Sequence, residues 1–268
     1  MIMKKYLFLF VLLCTLTTLS SCIDEDDDKM SLTVNMSAYD VFSTLKDPNK
    51  VPYFTETLKD GLQVRFRYLV VKMRETPGGS DRIIVDDVQY VNDIRANISF
   101  KTEALEEGKY NVCVVADLVE NNNEYNKVIT NGNTLFIQCK RPAGVYNAFG
   151  MTLQTLLIDK KTSINLNLVR KGSLVTLLFK NNIQDEVYSC EREKFEYFTH
   201  QERFSYNSVN WTTTITPNDT YKQHYCPVYE SDRFCIAWLG ARYPTFILED
   251  GKDTTIEMDF AAQTATEL

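Results

Sequence analysis

Apolar and polar residues alternate with a period of two along much of this 268-residue chain. In the clearest run, one face is formed by Leu62, Val64, Phe66, Tyr68 and Val70. The opposite face carries Gln63, Arg65 and Arg67. Alternation of this kind predicts a β-strand with one buried face and one polar face.

The same period predicts most of the remaining elements. Strands are expected in segments 32–38, 83–91, 98–100, 110–118, 134–139, 164–168, 173–179, 195–198, 208–215, 221–229, 234–239, 245–248 and 254–260. No fifteen-residue stretch has a helical period, and segment 39–58, which contains two prolines, is expected to be a connection with one helical turn. The turn at 249–252 predicts that the last two strands form a hairpin. The sequence therefore predicts an all-β fold of antiparallel sandwiches.

Two tandem domains are predicted. Val169-Arg170-Lys171-Gly172 interrupts two apolar runs, and segment 173–179 restarts with apolar residues on both faces, as expected for the central strand of a new core. We therefore expect an N-terminal sandwich at residues 31–169 and a C-terminal sandwich at residues 170–268. Tyr146 and Phe149 are expected to seat one sandwich against the other.

The first thirty residues have a separate pattern. Residues 1–21 have a basic start, a short apolar run and small residues before Cys22, as in a secretory signal peptide. Leu19-Ser20-Ser21-Cys22 resembles the bacterial lipobox, which implies that Cys22 is lipidated and attaches the mature chain to a membrane. The alternative is an ordinary secreted protein in which Cys22 is a thiol.

Five acidic residues follow Cys22, namely Asp24, Glu25, Asp26, Asp27 and Asp28. Their mutual repulsion favours an extended, solvated tether at residues 22–30. The run also resembles the export signal of Bacteroidetes surface lipoproteins, which implies a lipid-anchored, surface-exposed location on the outer membrane. The alternative is a simple spacer on a lipoprotein that faces the periplasm.

Charge and motifs narrow the class of function. The first 21 residues contain two lysines and no acid, so the 29 basic and 36 acidic side chains of the whole chain leave the mature protein at a net charge of −9. That balance argues against nucleic acid as a partner. Two histidines, His200 and His224, stand outside any catalytic or metal-binding motif. We therefore expect no enzymatic activity, no cofactor and no metal site.

Cysteine pairing remains open from the sequence. Cys226 and Cys235 bracket a segment that predicts a hairpin, which would allow a disulfide between them in an exported protein. The alternative is that these cysteines are buried free thiols that pack as small apolar side chains.

The C-terminal half is rich in large aromatic residues. Tyr206 and Trp211 are the candidates for a glycan platform, because an exposed aromatic ring can stack on the apolar side of a sugar. The threonines that follow Trp211 also suit an edge strand.

Three stretches carry a family resemblance: Gln63-Val64-Arg65-Phe66-Arg67-Tyr68, the turn and strand at 107–117, and Ile164-Asn165-Leu166-Asn167-Leu168-Val169-Arg170. With the lipobox, they resemble Bacteroidales fimbrillin-like lipoproteins, and within these the FimB/Mfa2-type fimbrial anchor subunits. The resemblance implies two transthyretin-like sandwiches that assemble with other subunits by β-strand exchange. Stalk subunits of such systems lose an N-terminal segment after an arginine, whereas this chain has no arginine between Cys22 and Arg65, which favours a base subunit. The alternative is processing by another protease at Lys29, Lys46 or Lys50.

Two functions follow as expectations. The first is a non-enzymatic outer-membrane lipoprotein that anchors or joins a fimbria-like assembly, with segment 254–268 as the contact with a partner subunit. The alternative is a glycan-binding surface lipoprotein of a polysaccharide uptake system, whose ligand would be a host or dietary glycan.

Overall fold

The computed structural model describes residues 30–75, 79–121, 123–131, 134–139, 144–193, 196–198, 203–205, 208–226, 233–238 and 241–268. It is an all-β structure with one short α-helix and one 3₁₀ turn in these ranges. The predicted fold class is therefore confirmed. The signal peptide and the tether, apart from Met30, lie outside the described residues.

The N-terminal half builds two larger sheets and one separate two-stranded hairpin. Its strands are β1 (Met30–Met36), β2 (Leu62–Lys72), β3 (Arg82–Val91), β4 (Ile98–Leu105), β5 (Gly108–Glu120), β6 (Asn123–Glu124), β7 (Asn126–Asn131), β8 (Thr134–Cys139), β9 (Phe149–Ile158), β10 (Thr162–Asn165) and β11 (Val169–Arg170). One sheet has the order β10-β1-β4, and the other has the order β11-β9-β5-β2-β3 with β6 beside β5. The helix α1 (Tyr39–Phe42) confirms the predicted single helical turn, and the 3₁₀ turn spans Val145–Asn147.

The apolar face of β2 joins the two sheets of this half. Val64, Phe66 and Tyr68 are fully buried, and the Tyr68 ring stacks on Phe100 of β4 with ring centroids 4.6 Å apart. The opposite face of β2 is not the solvent face that the alternation predicts. Arg65 is only 6% exposed, because the β7–β8 hairpin covers that side of the sheet and Asn126 accepts a hydrogen bond from its guanidinium.

The C-terminal half builds two further four-stranded sheets. Its strands are β12 (Ser173–Lys180), β13 (Glu186–Glu193), β14 (Glu196–Phe198), β15 (Arg203–Ser205), β16 (Ser208–Ile215), β17 (Tyr221–Cys226), β18 (Arg233–Trp238), β19 (Ala241–Ile247), β20 (Thr254–Asp259) and β21 (Thr264–Glu267). The orders are β17-β12-β20-β21 and β16-β13-β18-β19, while β14–β15 and β7–β8 form separate hairpins. A second core, which includes Val175, Tyr188 and Ile236, contains residues from both four-stranded sheets.

Two predicted hairpins are wrong. β17 and β18 belong to different sheets, and so do β19 and β20. The turn at 249–252 does form, but it is tied to the start of the C-terminal half: the backbone of Gly172 donates to Asp250 Oδ1 over 2.6 Å and accepts from Gly251 over 3.1 Å. The chain thereby passes from the sheet that contains β19 to the sheet that contains β12, where β20 pairs parallel with β12.

The junction between the two halves is buried and polar. Arg170 is 5% exposed and donates to Thr44 Oγ1 over 3.2 Å and to Asp253 Oδ1 over 2.7 Å. Phe149 packs edge-on against Tyr225, as the predicted role for Phe149 requires. Tyr146 instead stacks on Tyr125, within the N-terminal half.

Candidate functional site

The first strand occupies the interior of its sheet. β1 pairs antiparallel with β4 and parallel with β10, so both of its edges are hydrogen-bonded. Leu32 and Val34 are fully buried, and Met36 is nearly so. An apolar strand in this position fills a groove that would otherwise have unpaired backbone on both sides.

The residues that connect β1 to its predicted membrane anchor are few. β1 begins at Met30, eight positions after Cys22. Cys22, Asp24, Glu25, Asp26, Asp27 and Asp28 lie outside the described residues, so lipidation and export remain predictions.

The predicted partner contact at the C-terminus is narrower than expected. β20 lies between β12 and β21, so it has no free edge for a partner strand. The tail at 264–267 forms β21, and the Leu268 backbone N–H donates to Thr255 over 2.9 Å. β21 lies beside β19 of the other sheet. We therefore exclude segment 254–259 as a site of strand addition.

A longer exposed edge is provided by β16. Within the described strands it pairs only with β13, over eight residues from Ser208 to Ile215. Thr212 and Thr214 are exposed, and Ile215 is fully buried. The prediction that the Trp211 segment suits an edge strand is therefore confirmed.

Only one of the two predicted glycan-platform residues, Trp211, lies within the described residues. Tyr206 lies outside them. Trp211 is opposite Cys190 in the β16–β13 register, at the same phase of the strand as the buried Ile215. The glycan role of these two aromatic residues remains a prediction.

The predicted cysteine pair is divided between two sheets. Cys226 ends β17 and is buried in the second core. Cys235 lies in β18, in the sheet that does not contain β17. A disulfide between Cys226 and Cys235 remains a prediction, but it lacks the hairpin that suggested it.

Titratable residues show no catalytic arrangement in the described ranges. His224 is buried, and its Nε2 lies 2.9 Å from the Tyr188 hydroxyl. No three His, Cys, Asp or Glu residues of the described part are placed to hold a metal ion.

No helix in these ranges is long and apolar enough to cross a membrane.

Sequence reasoning missed the partner that holds β1 in place. A strand was expected at 164–168, but the structure has it at Thr162–Asn165, and its parallel pairing with β1 was not predicted. The available signal was an asparagine near the end of each strand: Asn35 and Asn165 are register partners, and Asn35 Nδ2 donates to Asn165 Oδ1 over 3.3 Å.

The fold matches solved structures of Bacteroidales proteins. A Bacteroides thetaiotaomicron protein provisionally described as polysaccharide-binding has a TM-score of 0.53 at 11% identity, over 86% of this chain and 91% of that chain. The fimbrial anchor protein Mfa2 from Porphyromonas gingivalis has a TM-score of 0.52 at 10% identity, over 90% and 95%. A protein provisionally described as an adhesin from Bacteroides ovatus has a TM-score of 0.52 at 10% identity, over 92% and 94%.

Sequence comparison adds no assignment: no protein-family model matches the chain, and no curated protein does. At these identities the structural likeness shows the fold. The resemblance to fimbrial anchor subunits is confirmed at that level, because the chain has the fold of the Mfa2 anchor protein along nearly its whole length.

Proposed function

We propose that this protein is a non-enzymatic, surface-exposed outer-membrane lipoprotein that anchors a fimbria-like assembly or serves as an accessory subunit in it. The observation that carries the proposal is the position of β1. A strand-exchange subunit that accepts a neighbour's strand needs an open groove, whereas this chain fills its groove with its own first strand.

The sequence on either side of β1 supports a terminal position in the assembly. No arginine lies between Cys22 and Arg65, so cleavage after an arginine cannot release β1. A lipid on Cys22 would therefore remain joined to the folded chain, as an anchor requires. Contact with the next subunit is then made through an exposed edge, for which β16 is the candidate.

The anchor is tested by Cys22→Ala expressed in the native cells. We expect the variant to move from the membrane fraction to the soluble fraction, because one cysteine carries the whole attachment. A variant that stays in the membrane fraction would contradict the lipoprotein assignment.

The assembly role is tested by photo-crosslinking in intact cells. A photoreactive residue is placed at Thr214, which is exposed on the edge strand, or at Lys160, which is exposed in the β9–β10 turn and serves as the control. We expect Thr214 to capture another β-sandwich subunit and Lys160 to capture none. Capture of an outer-membrane transporter instead, or equal capture from both positions, would overturn the assembly role.

A further inference from the structure

An asparagine-lined pocket of about 480 Å³ opens where β1 and β10 end and β4 begins. Its polar lining consists of Asn35, Ser37, Asp40, Asn97, Asn165 and Asn167. We call this site the asparagine pocket. Its volume lies within the range of small-molecule binding sites.

Three chain segments bring these amides together. The parallel pairing of β1 with β10 sets Asn35 beside Asn165, and the backbone N–H of Leu166 donates to Asn35 O over 2.9 Å, which keeps the next residues alongside β1. Asn97 arrives from the other side, because Ile98 is the register partner of Met36. The pocket therefore depends on the tertiary pairing of strands far apart in sequence.

The pocket combines an apolar floor with exposed hydrogen-bonding groups. Met36, Leu166 and Leu168 contribute to the lining and are each at most 5% exposed. The side chains of Asn97, Asn167 and Asp40 line the pocket and are exposed, so their polar atoms are accessible to a ligand. A primary amide offers two donors and one acceptor, which suits a partner that both donates and accepts.

The charge of the lining excludes several ligand classes. Among the described residues it contains no lysine, arginine or histidine, so no side-chain cation there neutralises a phosphate, sulfate or carboxylate. It contains a single carboxylate, Asp40, whereas a calcium site gathers several oxygen ligands and usually more than one carboxylate. The chemistry favours an uncharged ligand that is rich in hydroxyl groups and has an apolar side.

We propose that the asparagine pocket binds a neutral saccharide. The ring hydroxyls would exchange hydrogen bonds with the amides of Asn97 and Asn167 and donate to Asp40, while the C–H face of the ring would turn toward the small apolar surface that Met36, Leu166 and Leu168 leave exposed. This site is in the N-terminal half, away from the Trp211 segment that was predicted as a glycan platform. The proposal does not depend on the assembly role.

The test uses the full mature chain carrying Cys22→Ala in affinity gel electrophoresis. The probes are neutral polysaccharides (amylopectin, dextran, laminarin, yeast mannan, galactan and inulin) and the anionic polysaccharides polygalacturonate and heparin. We expect at least one neutral polysaccharide to retard the chain, and neither anionic one to do so. Asn97→Ala and Asn167→Ala should each weaken binding about 3- to 10-fold, and the double variant should abolish it.

Asn218→Ala is the matched control, because Asn218 is an exposed asparagine in a turn of the C-terminal half. It should leave the retardation unchanged. Thermal unfolding of every variant should match the parent, since the replaced amides are exposed. The proposal is overturned if no neutral polysaccharide retards the chain, if an anionic polysaccharide retards it equally, or if the double variant binds as well as the parent.

Discussion

The guanidinium of Arg65 and the carboxylate of Asp117 form a two-point ion pair inside the N-terminal half. Arg65 Nε lies 2.9 Å from Oδ1 and Nη2 lies 2.9 Å from Oδ2 of Asp117. Arg65 is 6% exposed and Asp117 is 1% exposed. Burial raises the pKa of the Asp117 carboxyl to about 6, although the charge of Arg65 acts in the opposite direction.

The pair also holds the β7–β8 hairpin on the sheet. Arg65 donates to Asn126 O over 3.1 Å and contacts Glu124, and both residues precede or begin the hairpin. The neighbouring Arg67 donates to Val128 O over 2.8 Å. Two arginines on one face of β2 thus bind a segment that shares few other contacts with that strand.

Removing Arg65 should strongly destabilise the fold. We expect Arg65→Met to lower the free energy of unfolding by about 3–5 kcal/mol, because it leaves the Asp117 carboxylate buried and uncompensated. Urea denaturation measures the change. The control is Arg95→Met, since Arg95 and Glu56 form a pair with about half of each side chain exposed, which should cost less than about 1 kcal/mol. Equal losses in the two variants would refute a special role for the buried pair.

The Arg67–Asp86 pair predicts a pH dependence. Burial would raise the pKa of Asp86, but the hydrogen bonds and charge of Arg67 outweigh it and lower that pKa. A carboxyl with a lowered folded-state pKa adds stability above its ordinary pKa of about 4, and this stability is lost as the pH falls through the folded-state pKa. Asp86 is exposed and solvent screens the pair, so Asp86→Asn should cost less than about 1 kcal/mol at pH 7 and progressively less below about pH 4.

Denaturation midpoints at several pH values between 7 and 3 measure this effect. The control is Asp87→Asn, because Asp87 is exposed on the same strand and contacts the backbone of its own neighbour. A cost for Asp86→Asn that does not change with pH would contradict the ion pair as its source.

Close packing of α1 on β9 makes Gly150 sensitive to enlargement. A Cβ added at Gly150 would collide with the side chain of Val41, which is fully buried. We expect Gly150→Ala to cost about 1–3 kcal/mol through overpacking. The double variant Gly150→Ala with Val41→Ala should cost less than the sum of the two single variants, since the smaller side chain at 41 leaves room for the added Cβ. Gly144→Ala is the control, because a Cβ there meets no atom within 4 Å. Strictly additive costs for the double variant would show that the collision relaxes without strain.

Cys113 should be protected from alkylation in the folded chain. It is 1% exposed, and burial raises the pKa of its thiol to about 12. Because the thiolate is the reactive form, iodoacetamide at about pH 8 should modify Cys113 only after unfolding. Peptide mass spectrometry before and after denaturation measures the labelled fraction. Rapid labelling of the native protein would mean that β5 opens readily.

Strand identity was largely predictable from the chain. β2 and β5 are long and rich in apolar residues that alternate, such as Val64 in β2 and Val114 in β5, and these residues are buried as predicted, although β5 is buried on its other face as well. Several strands were not predicted, among them β7, β9 and β13. The sequence of β9 has no clean alternation: Leu157 is 61% exposed while Gly150 is buried. Its strand state depends on pairing with β5 rather than on its own pattern.

Pairing was less predictable, for a physical reason. The turn at 249–252 has the local chemistry of a hairpin, but bonds from Gly172 to Asp250 and Gly251 direct the chain to the other sheet. Likewise, nothing local to Asn35 or Asn97 indicates a shared pocket, because the segments meet only after β1 has paired with β4 and β10.

The sequence by itself therefore determined the all-β class, the phase of the main strands and the character of the first thirty residues, because these depend on local periodicity and composition. Only the tertiary structure decided that Arg65 is buried, that β1 is enclosed on both edges and that the asparagines converge. These features require hydrogen bonds between segments far apart in the chain. A residue's own neighbours in sequence carry no record of such partners.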